Sequence, residues 1–580
     1  MKFIENKWLL IILVAAFIEP FHYFLLIHYP PEGKTFMAYD SDEALVSGIM
    51  RSIELNFDNP WSPGEKVFFN GALTSPYTYI PLGYLRLLLG VDAILMNIMA
   101  KFVFFFIFLM VLSKFMKTII PEKHKLAFAM FLLPLGLMPV GYLIGGFTGI
   151  ERFAEGFSFE FSVLNNISRV YYFVPLITGM LSFIFFNEGR KIAASISLGA
   201  TFLFYPFFGF AFAWILFLYD ISGKKGTAKD RIVKSLTELW KIYAIGLLFL
   251  APWLYARFAH PEYFGLYSQN SLWWRAHLIS IIGSYFFLLS IILLANVETF
   301  KKFMKFIIPA FLASVVIILS ELSILNVPPF TSVNLPSIAV DAAEIVFMVT
   351  IAIFIILINF IYNVDGRKKF LLLFALAFIL LSIVNPKYIF WMQYRMGYLL
   401  HIPLALLAAL YFDTFILKVK SFGISKMTVL FVIGIFAVSS FLAYNYRFQM
   451  ADRKIDNVYF EKSDKEALIF LNTLPRGIVI ASDDTNYFLP TWSGQYALYH
   501  PAESQYQGGG TDRLEKKSDA SIFYTSNISQ EQFKGILKKY DVRYVFYGSR
   551  ERNIGAPHFE SYNFLEKIYD NRSQIFIVKL

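Results

Sequence analysis

Apolar runs of about 20 residues recur along most of this 580-residue chain, and short basic stretches separate them. A run of that length is what a helix needs to cross the hydrocarbon core of a bilayer, because each residue adds about 1.5 Å along the helix axis. The composition agrees, since 57% of the residues are hydrophobic and only 16% are charged, whereas soluble proteins carry about 25% charged residues. The sequence therefore predicts a mostly α-helical, polytopic membrane protein and excludes a soluble enzyme, a coiled coil and a disordered chain.

Basic residues set the expected topology. They lie in the short loops between the apolar runs, and basic loops stay in the cytoplasm when membrane helices insert. We expect about 13 transmembrane helices, with the N-terminus in the cytoplasm and the C-terminus on the extracytoplasmic side of the cell membrane. The run at 192–218 is flanked by basic loops on both sides, so it must enter and return as two short helices that turn near Tyr205 and Pro206. The other predicted helices lie near 8–28, 92–117, 126–147, 169–186, 237–257, 276–295, 305–325, 343–363, 369–386, 397–416 and 427–445.

Two long segments are expected outside the membrane. The first is the outer loop 29–90, which holds seven acidic and four basic residues. The second is 446–580, where helical and extended patterns alternate as in a small α/β domain. We therefore expect a polytopic membrane domain at 1–445 and an extracytoplasmic α/β domain at 446–580. In the latter, the predicted helices lie near Ser463–Leu474 and Ser529–Tyr540, and the predicted strands near Ile478–Ser482, Tyr496–His500, Val542–Tyr547 and Gln574–Lys579.

The formal net charge of +10 does not indicate a nucleic-acid partner. Residues 446–580 contain 18 Lys or Arg and 17 Asp or Glu, so the soluble part is nearly neutral. The positive excess lies in the short membrane loops, where it sets topology. The chain has no cysteine, which excludes disulfide bonds, thiolate metal ligands and a cysteine nucleophile.

Three carboxylates follow the first apolar run within four residues. Asp40, Asp42 and Glu43 lie in the sequence YDSDEAL, near the start of the first outer loop. At a membrane boundary such a cluster can take a proton from a hydroxyl as a general base, or hold a hard divalent cation that neutralises a phosphate. The plainer interpretation is a solvated helix N-terminus, where carboxylates are favoured.

Cations and aromatic residues near the same boundary are candidate contacts for an anionic lipid. Arg169 begins the fourth predicted helix, and Lys387 and Arg395 lie in the sequence NPKYIFWMQYR. Arginine can hold phosphate through two parallel hydrogen bonds. Trp391 and Tyr394 beside Arg395 suit a prenyl chain or the face of a sugar. The alternatives are cations that reach to lipid head groups and an interfacial belt of aromatic residues.

The order of motifs in the first outer loop resembles that of the GT-C superfamily of integral membrane glycosyltransferases. Asp42-Glu43-Ala44 comes first, and FFNG at 68–71, SPYTYIPL at 75–82 and LLLGVD at 87–92 follow. The likeness is to protein O-mannosyltransferases and to bacterial transferases that add aminoarabinose or other sugars to lipid A. The segments that look like the outer domain of that group are KEALIFL at 465–471, IVIAS at 478–482, WSG at 492–494 and YVFYG at 544–548.

The predicted layout also looks like the catalytic subunit of oligosaccharyltransferase. The WWDYG signature of that enzyme is not present at the matching tryptophans, because Trp273 and Trp274 are followed by Arg275 and Ala276. The acceptor therefore stays open at this point.

The resemblance implies an inverting glycosyltransferase that moves a sugar from a polyprenyl-phosphate donor to a glycan, lipid or protein of the cell envelope. The membrane lipids surround the protein and are its other expected partners. Asp42, with Glu43 or Asp40, would deprotonate or orient the acceptor hydroxyl. Arg395, with Lys387 or Arg169, would hold the phosphate as it leaves. A divalent cation, Mg²⁺ or Mn²⁺, is compatible with this chemistry but is not implied by it.

Two other classes of protein compete with the enzyme. A transporter or flippase of a lipid-linked or anionic substrate predicts charged residues inside the helices, and the predicted helix interiors are nearly free of charge. A non-catalytic scaffold of a cell-envelope complex has no need of a shared site. An enzyme predicts instead that Asp42 and Arg395 line one outward-open cavity.

Overall fold

A computed structural model describes residues 24–38, 76–133, 170–254, 366–383, 397–429, 459–499, 511–525, 528–555 and 557–579, and positions 21, 43, 47, 48, 50, 51, 288, 291, 292, 294–296, 431, 433 and 434. This part of the chain is mostly helical, with a small sheet near the C-terminus. Three of the described helices are long and apolar enough to cross a membrane, namely Ala93–Ile119, Pro206–Gly223 and Leu399–Ser421. The chain is a membrane protein, and the total of about 13 spans stays a prediction.

The helices that precede the C-terminal segment follow the apolar runs of the sequence. The predicted spans 92–117, 169–186, 369–386 and 397–416 each match a helix to within a few residues. These elements are β1 (Lys34–Phe36), α1 (Pro76–Leu89), α2 (Ala93–Ile119), α3 (Lys123–Leu132), α4 (Val170–Asn187), α5 (Lys191–Phe204), α6 (Pro206–Gly223), α7 (Ala228–Leu248), α8 (Gly366–Ile383) and α9 (Gly397–Ser421).

The run between two basic loops forms the predicted pair of helices, α5 and α6. α5 is short, with 14 residues, whereas α6 has 18 and is long enough to cross a membrane. They are separated by Tyr205 alone, which is extended (φ −157°, ψ 97°), and Pro206 starts α6 at a position where proline is favoured. Lys191 begins α5 and Lys224 follows α6, and both ammonium groups contact the carboxylate of Glu238, at 3.2 and 2.6 Å. The two helices therefore run in opposite directions, as predicted.

Basic loops meet at one end of the helix bundle. Arg367 at the start of α8 pairs with Glu122 between α2 and α3, at 2.8 Å. Lys114 near the end of α2 pairs with Glu188 just after α4, at 2.9 Å. Loops far apart in the sequence thus share one end of the bundle, as their common charge predicts.

Several predicted boundaries need correction. α7 begins at Ala228 rather than near 237, because Thr227 and Asp230 form a capping box that extends the helix into the basic stretch. α3 begins at Lys123 rather than near 126, and the first outer loop contains the helix α1. The predicted helices at 305–325 and 343–363 lie outside the described residues, and those at 8–28, 276–295 and 427–445 lie largely outside them.

The C-terminal segment forms a mixed five-stranded sheet in the order β4-β3-β5-β7-β6. β3 is parallel to β4 and β5, whereas β7 is antiparallel to β5 and β6. The elements are β2 (Tyr459–Glu461), α10 (Lys462–Leu471), β3 (Ile478–Ile480), α11 (Asp483–Asn486), α12 (Leu489–Ser493), β4 (Tyr496–Ala497), α13 (Thr511–Phe523), α14 (Gln530–Lys539), β5 (Val542–Tyr547), α15 (Ser549–Ile554), a 3₁₀ turn (Phe559–Ser561), β6 (Leu565–Asn571) and β7 (Ser573–Val578).

Both faces of this sheet are covered. Along β5, Tyr544 and Phe546 point into one apolar cluster and Val545 points into another, because successive strand residues face opposite sides. The Val545 side packs against α13 and α14. The other side packs against α10 and against Ile94 and Ile98 of α2. A helix or strand lies at each predicted position. The helices α10 and α14 end one to three residues early, β3 ends two residues early, and β4 has only two residues.

The first outer loop and the C-terminal segment share a small sheet. β1 pairs with β2 in antiparallel fashion, with Phe36 opposite Tyr459. Phe36, Met37 and Ala38 are buried in the same apolar cluster as the inner face of the C-terminal sheet. The division of the chain at 445 stays a prediction, and the structure shows that residues on both sides of it build one apolar core.

Candidate functional site

A buried ion pair joins the acidic cluster of the first outer loop to helix α2. Glu43 and Lys101 are 3% and 2% exposed, and the Lys101 ammonium donates to a Glu43 carboxylate oxygen at 2.8 Å. The Asn97 amide donates to the same oxygen at 3.1 Å. Asn97 and Lys101 are four residues apart, so one face of α2 presents both donors. A countercharge and a second donor satisfy a carboxylate that would be costly to bury alone.

Lys101 lies well inside a membrane helix. It comes eight residues after Ala93, which is about 12 Å along the axis of α2. The prediction that helix interiors are nearly free of charge is wrong at this position. The single lysine within this apolar run could have indicated a buried ion pair, because an ionisable residue inside a membrane helix needs a partner.

The acidic segment is helical at each of its described positions. Glu43, Ser47 and Met50 follow the spacing i, i+4, i+7 and are all buried. Met50 belongs to the apolar core of the membrane helices. We call these described helical positions (43, 47, 48, 50 and 51) the acidic-loop helix, and its buried face packs onto the membrane domain.

Glu43 is the one predicted site residue that the structure describes. The others lie outside the described residues, and their roles stay predictions: Asp40, Asp42, Arg169, Lys387, Trp391, Tyr394 and Arg395. Chain geometry gives one relation, because Asp42 directly precedes Glu43 and their Cα atoms are therefore about 3.8 Å apart. The ion pair thus anchors the backbone next to Asp42.

The far end of the acidic-loop helix contacts the C-terminal domain. The Arg51 guanidinium donates to the carbonyl oxygens of Thr491 (2.9 Å) and Trp492 (3.4 Å), and to the side-chain oxygen of Asn472. Sequence reasoning missed Arg51, because its partners lie about 420 to 440 residues further along the chain.

A lysine of the C-terminal domain makes a second contact with the loop. The Lys465 ammonium donates to the Phe36 carbonyl at 3.0 Å and lies 3.9 Å from the centre of the Trp492 ring. Burial lowers the pKa of Lys465, and the nearby carboxylate of Asp92, which caps α2, acts in the opposite direction. This end of α2 therefore faces the C-terminal domain, away from the end where the basic loops meet.

Two further buried carboxylates lie within the C-terminal domain. Glu551 accepts hydrogen bonds from the backbone amides of Ser482 and Gly548, at 2.9 and 3.0 Å, and Asp464 accepts from the hydroxyls of Ser549 and Ser573. Burial raises the pKa of Glu551, against the effect of its hydrogen bonds from Ser482. Glu551 thus bridges the loops that follow β3 and β5, and Asp464 links the residue after Gly548 to the start of β7.

Among the described residues, no three His, Asp or Glu side chains gather in a way that could hold a metal ion. Asp40 and Asp42 lie outside this set.

Comparison with known proteins gives structural neighbours only. No family model and no curated protein matches the sequence. A crystal structure of the Archaeoglobus fulgidus oligosaccharyltransferase tethered to an acceptor peptide is similar at 13% identity and a TM-score of 0.43, over 100% of this chain and 75% of that chain. The apo form of that enzyme is similar at 12% identity and a TM-score of 0.44, over 94% and 70% of the two chains. The form with zinc and sulfate has 12% identity and a TM-score of 0.43, over 92% and 67%.

The similarity to these structures is low in both identity and TM-score.

Proposed function

We propose that this protein is a membrane glycosyltransferase that moves a sugar from a polyprenyl-phosphate donor to an acceptor on the extracytoplasmic side. The observation that carries the proposal is the buried contact of Glu43 with Lys101 and Asn97. This contact uses one carboxylate of the acidic cluster, that of Glu43, to anchor the loop to helix α2. We assign the role of base to Asp42, the residue before Glu43 in the sequence.

The proposed reaction is a single displacement. The acceptor hydroxyl oxygen attacks the anomeric carbon, its proton passes to Asp42, and the bond between that carbon and the phosphate oxygen breaks. The lipid phosphate leaves with the bonding electron pair and needs no strong acid, because it is a stable anion. Arg395, with Lys387 or Arg169, holds that phosphate, as two-pronged guanidinium contacts do.

The proposed orientation follows from the two ends of the bundle. The ion pairs Arg367–Glu122 and Lys114–Glu188 lie at the end that we place in the cytoplasm. The C-terminal domain lies at the other end, which we place outside together with the acidic cluster. A multi-pass arrangement with a cytoplasmic N-terminus accounts for both.

The test is a reconstituted transfer assay with Asp42→Asn. The change keeps size and hydrogen-bonding capacity but removes basicity, and loss of a general base typically costs about 10²–10⁴-fold in rate. We expect that loss with unchanged thermal stability. Glu32→Gln is the matched control, because Glu32 is an exposed carboxylate of the same loop. Near-wild-type turnover of Asp42→Asn would sink the assignment.

One observation favours the transporter reading as a second candidate. The Glu43–Lys101 pair is ionisable and buried against a membrane helix, as in many substrate pathways. In vesicles, a flippase would move the donor lipid between leaflets and an enzyme would consume it. Movement of intact lipid that Asp42→Asn leaves unchanged would favour the flippase.

A further inference from the structure

We infer that Arg51 is a positioning residue through which the C-terminal domain holds the acidic-loop helix in place for transfer; this inference rests on the function proposed above. Arg51 comes eight residues after Glu43 in the sequence, and both positions are helical. The helix is therefore held at both ends, by Lys101 of the membrane domain and by carbonyls of the C-terminal domain.

The Arg51 guanidinium contacts backbone carbonyl groups at the end of α12. Thr491 and Trp492 belong to the last turn of α12, where carbonyl oxygens have no partner within the helix. The guanidinium supplies two such carbonyls with donors and also reaches the side chain of Asn472. A cation at the C-terminus of a helix is favoured by the helix dipole as well.

Gly494 gives Arg51 the room to approach. It ends α12 in the left-handed conformation (φ 65°), which a glycine adopts at no steric cost. A Cβ atom at this position would lie 3.1 Å from the Asn472 side-chain oxygen and 3.4 Å from the Arg51 guanidinium. The segment WSG at 492–494 thus supplies both an acceptor for Arg51 and the space beside it.

Release of the acidic-loop helix at Arg51 is expected to shift its other end, at Glu43. Asp42 directly precedes Glu43, the partner of Lys101, in the sequence. A misplacement of about 1 Å at a reacting group can cost about 100-fold in rate. The donor contacts proposed for Arg395 and its neighbours lie in other segments of the chain. Loss of Arg51 should therefore lower the rate of transfer and leave donor affinity unchanged.

The experiment compares Arg51→Ala and Arg51→Lys in the full-length protein. For Arg51→Ala we expect kcat to fall about 10- to 100-fold with unchanged donor-lipid binding. Arg51→Lys should keep part of the activity, because an ammonium can reach one carbonyl but lacks the planar fork. Arg543→Ala is the control, since Arg543 also donates to a carbonyl (Arg476, 3.1 Å) but stays within the C-terminal domain.

Hydrogen exchange separates the anchor from the reaction. In Arg51→Ala, amides of 43–51 should exchange faster while those of β5 and β7 keep their wild-type protection. Gly494→Ala should have the same effect, and the two changes combined should be less than additive, because they disturb one contact.

Three outcomes decide the case. Unchanged exchange and unchanged kcat in Arg51→Ala would overturn the positioning role. Faster exchange in β5 and β7 as well would overturn it too, by showing that Arg51 supports the fold of the C-terminal domain. A wild-type protein without transferase activity, but with faster exchange of 43–51 in Arg51→Ala, would refute the proposed function and leave the anchor standing.

Discussion

At the scale of single residues, the Glu43–Lys101 pair has the clearest energetic consequence. Removing one partner of a buried ion pair leaves an uncompensated charge and costs about 3–5 kcal/mol, whereas removing both charges is often neutral. We expect Lys101→Met to destabilise the protein by about that amount, and the double variant Lys101→Met/Glu43→Gln to recover most of it. Thermal unfolding in detergent measures both.

Lys191→Met is the control for that measurement. Lys191 also pairs with a glutamate, Glu238, but its side chain is 56% exposed. Exposed pairs contribute at most about 1 kcal/mol. Similar losses for Lys101→Met and Lys191→Met would show that the burial of the first pair has no energetic role.

Arg395 gives a second prediction at this scale. If it clamps the donor phosphate, Arg395→Lys should lose much of the activity although it keeps the charge, because the two-pronged contact is gone. Arg395→Ala should lose more, with donor affinity lower by about 2–5 kcal/mol. Binding of the lipid phosphate to wild type and both variants is the measurement. Equal affinity in all three would remove Arg395 from the site.

The sequence indicated the acidic cluster but not what holds it. Asp42 and Glu43 stand out because carboxylates at a membrane boundary cost free energy, so their presence there indicates a functional or structural role. The partners of Glu43 and Arg51 come from segments 58 and about 440 residues away. Periodicity and spacing describe neighbours along the chain, so such contacts become visible only in the fold.

At the scale of helices and strands, the sequence predicted whatever had a strong local pattern. The α5–α6 pair followed from a long apolar run, basic residues at both ends and one proline. The strands β1, β2 and β6 and the helix α13 were missed. β2 has only three residues, and β6 reads LEKIYDN, where charged side chains along an exposed strand hide the pattern.

A glycine at the contact between α4 and α6 gives the prediction at this scale. Gly179 of α4 faces the Phe212 ring of α6, and a Cβ atom there would overlap the ring. Gly179→Ala should destabilise the bundle by about 1–3 kcal/mol, as overpacking does. Gly223, the last residue of α6, has open space around its Cα, so Gly223→Ala should cause no such loss. Equal melting temperatures for the two variants would contradict this packing.

At the scale of the whole molecule, the shared core makes the two parts of the chain interdependent. Removing 446–580 leaves the membrane helices able to insert, because their own hydropathy directs insertion. It also uncovers Phe36, Met37 and Ile94 and leaves β1 without its partner strand. We expect the truncated protein to reach the membrane and bind donor lipid but to transfer no sugar.

Membrane fractionation, donor binding and a transfer assay test this prediction together. Undiminished transfer by the truncated protein would contradict it, because the C-terminal domain would then have no role in the reaction. Loss of membrane insertion would instead show that the helices depend on the outer domain to insert.

The pairing of β1 with β2 also has a consequence for synthesis on the ribosome. Phe36 and Tyr459 are partners, yet the second is made after more than 400 further residues, which takes about 20–80 s at about 5–20 residues per second. During that time β1 has no partner strand, and in the orientation proposed above the acidic loop has already crossed the membrane. A chain released early is thus expected to be an inert membrane protein, and assembly of the site becomes the last event of translation.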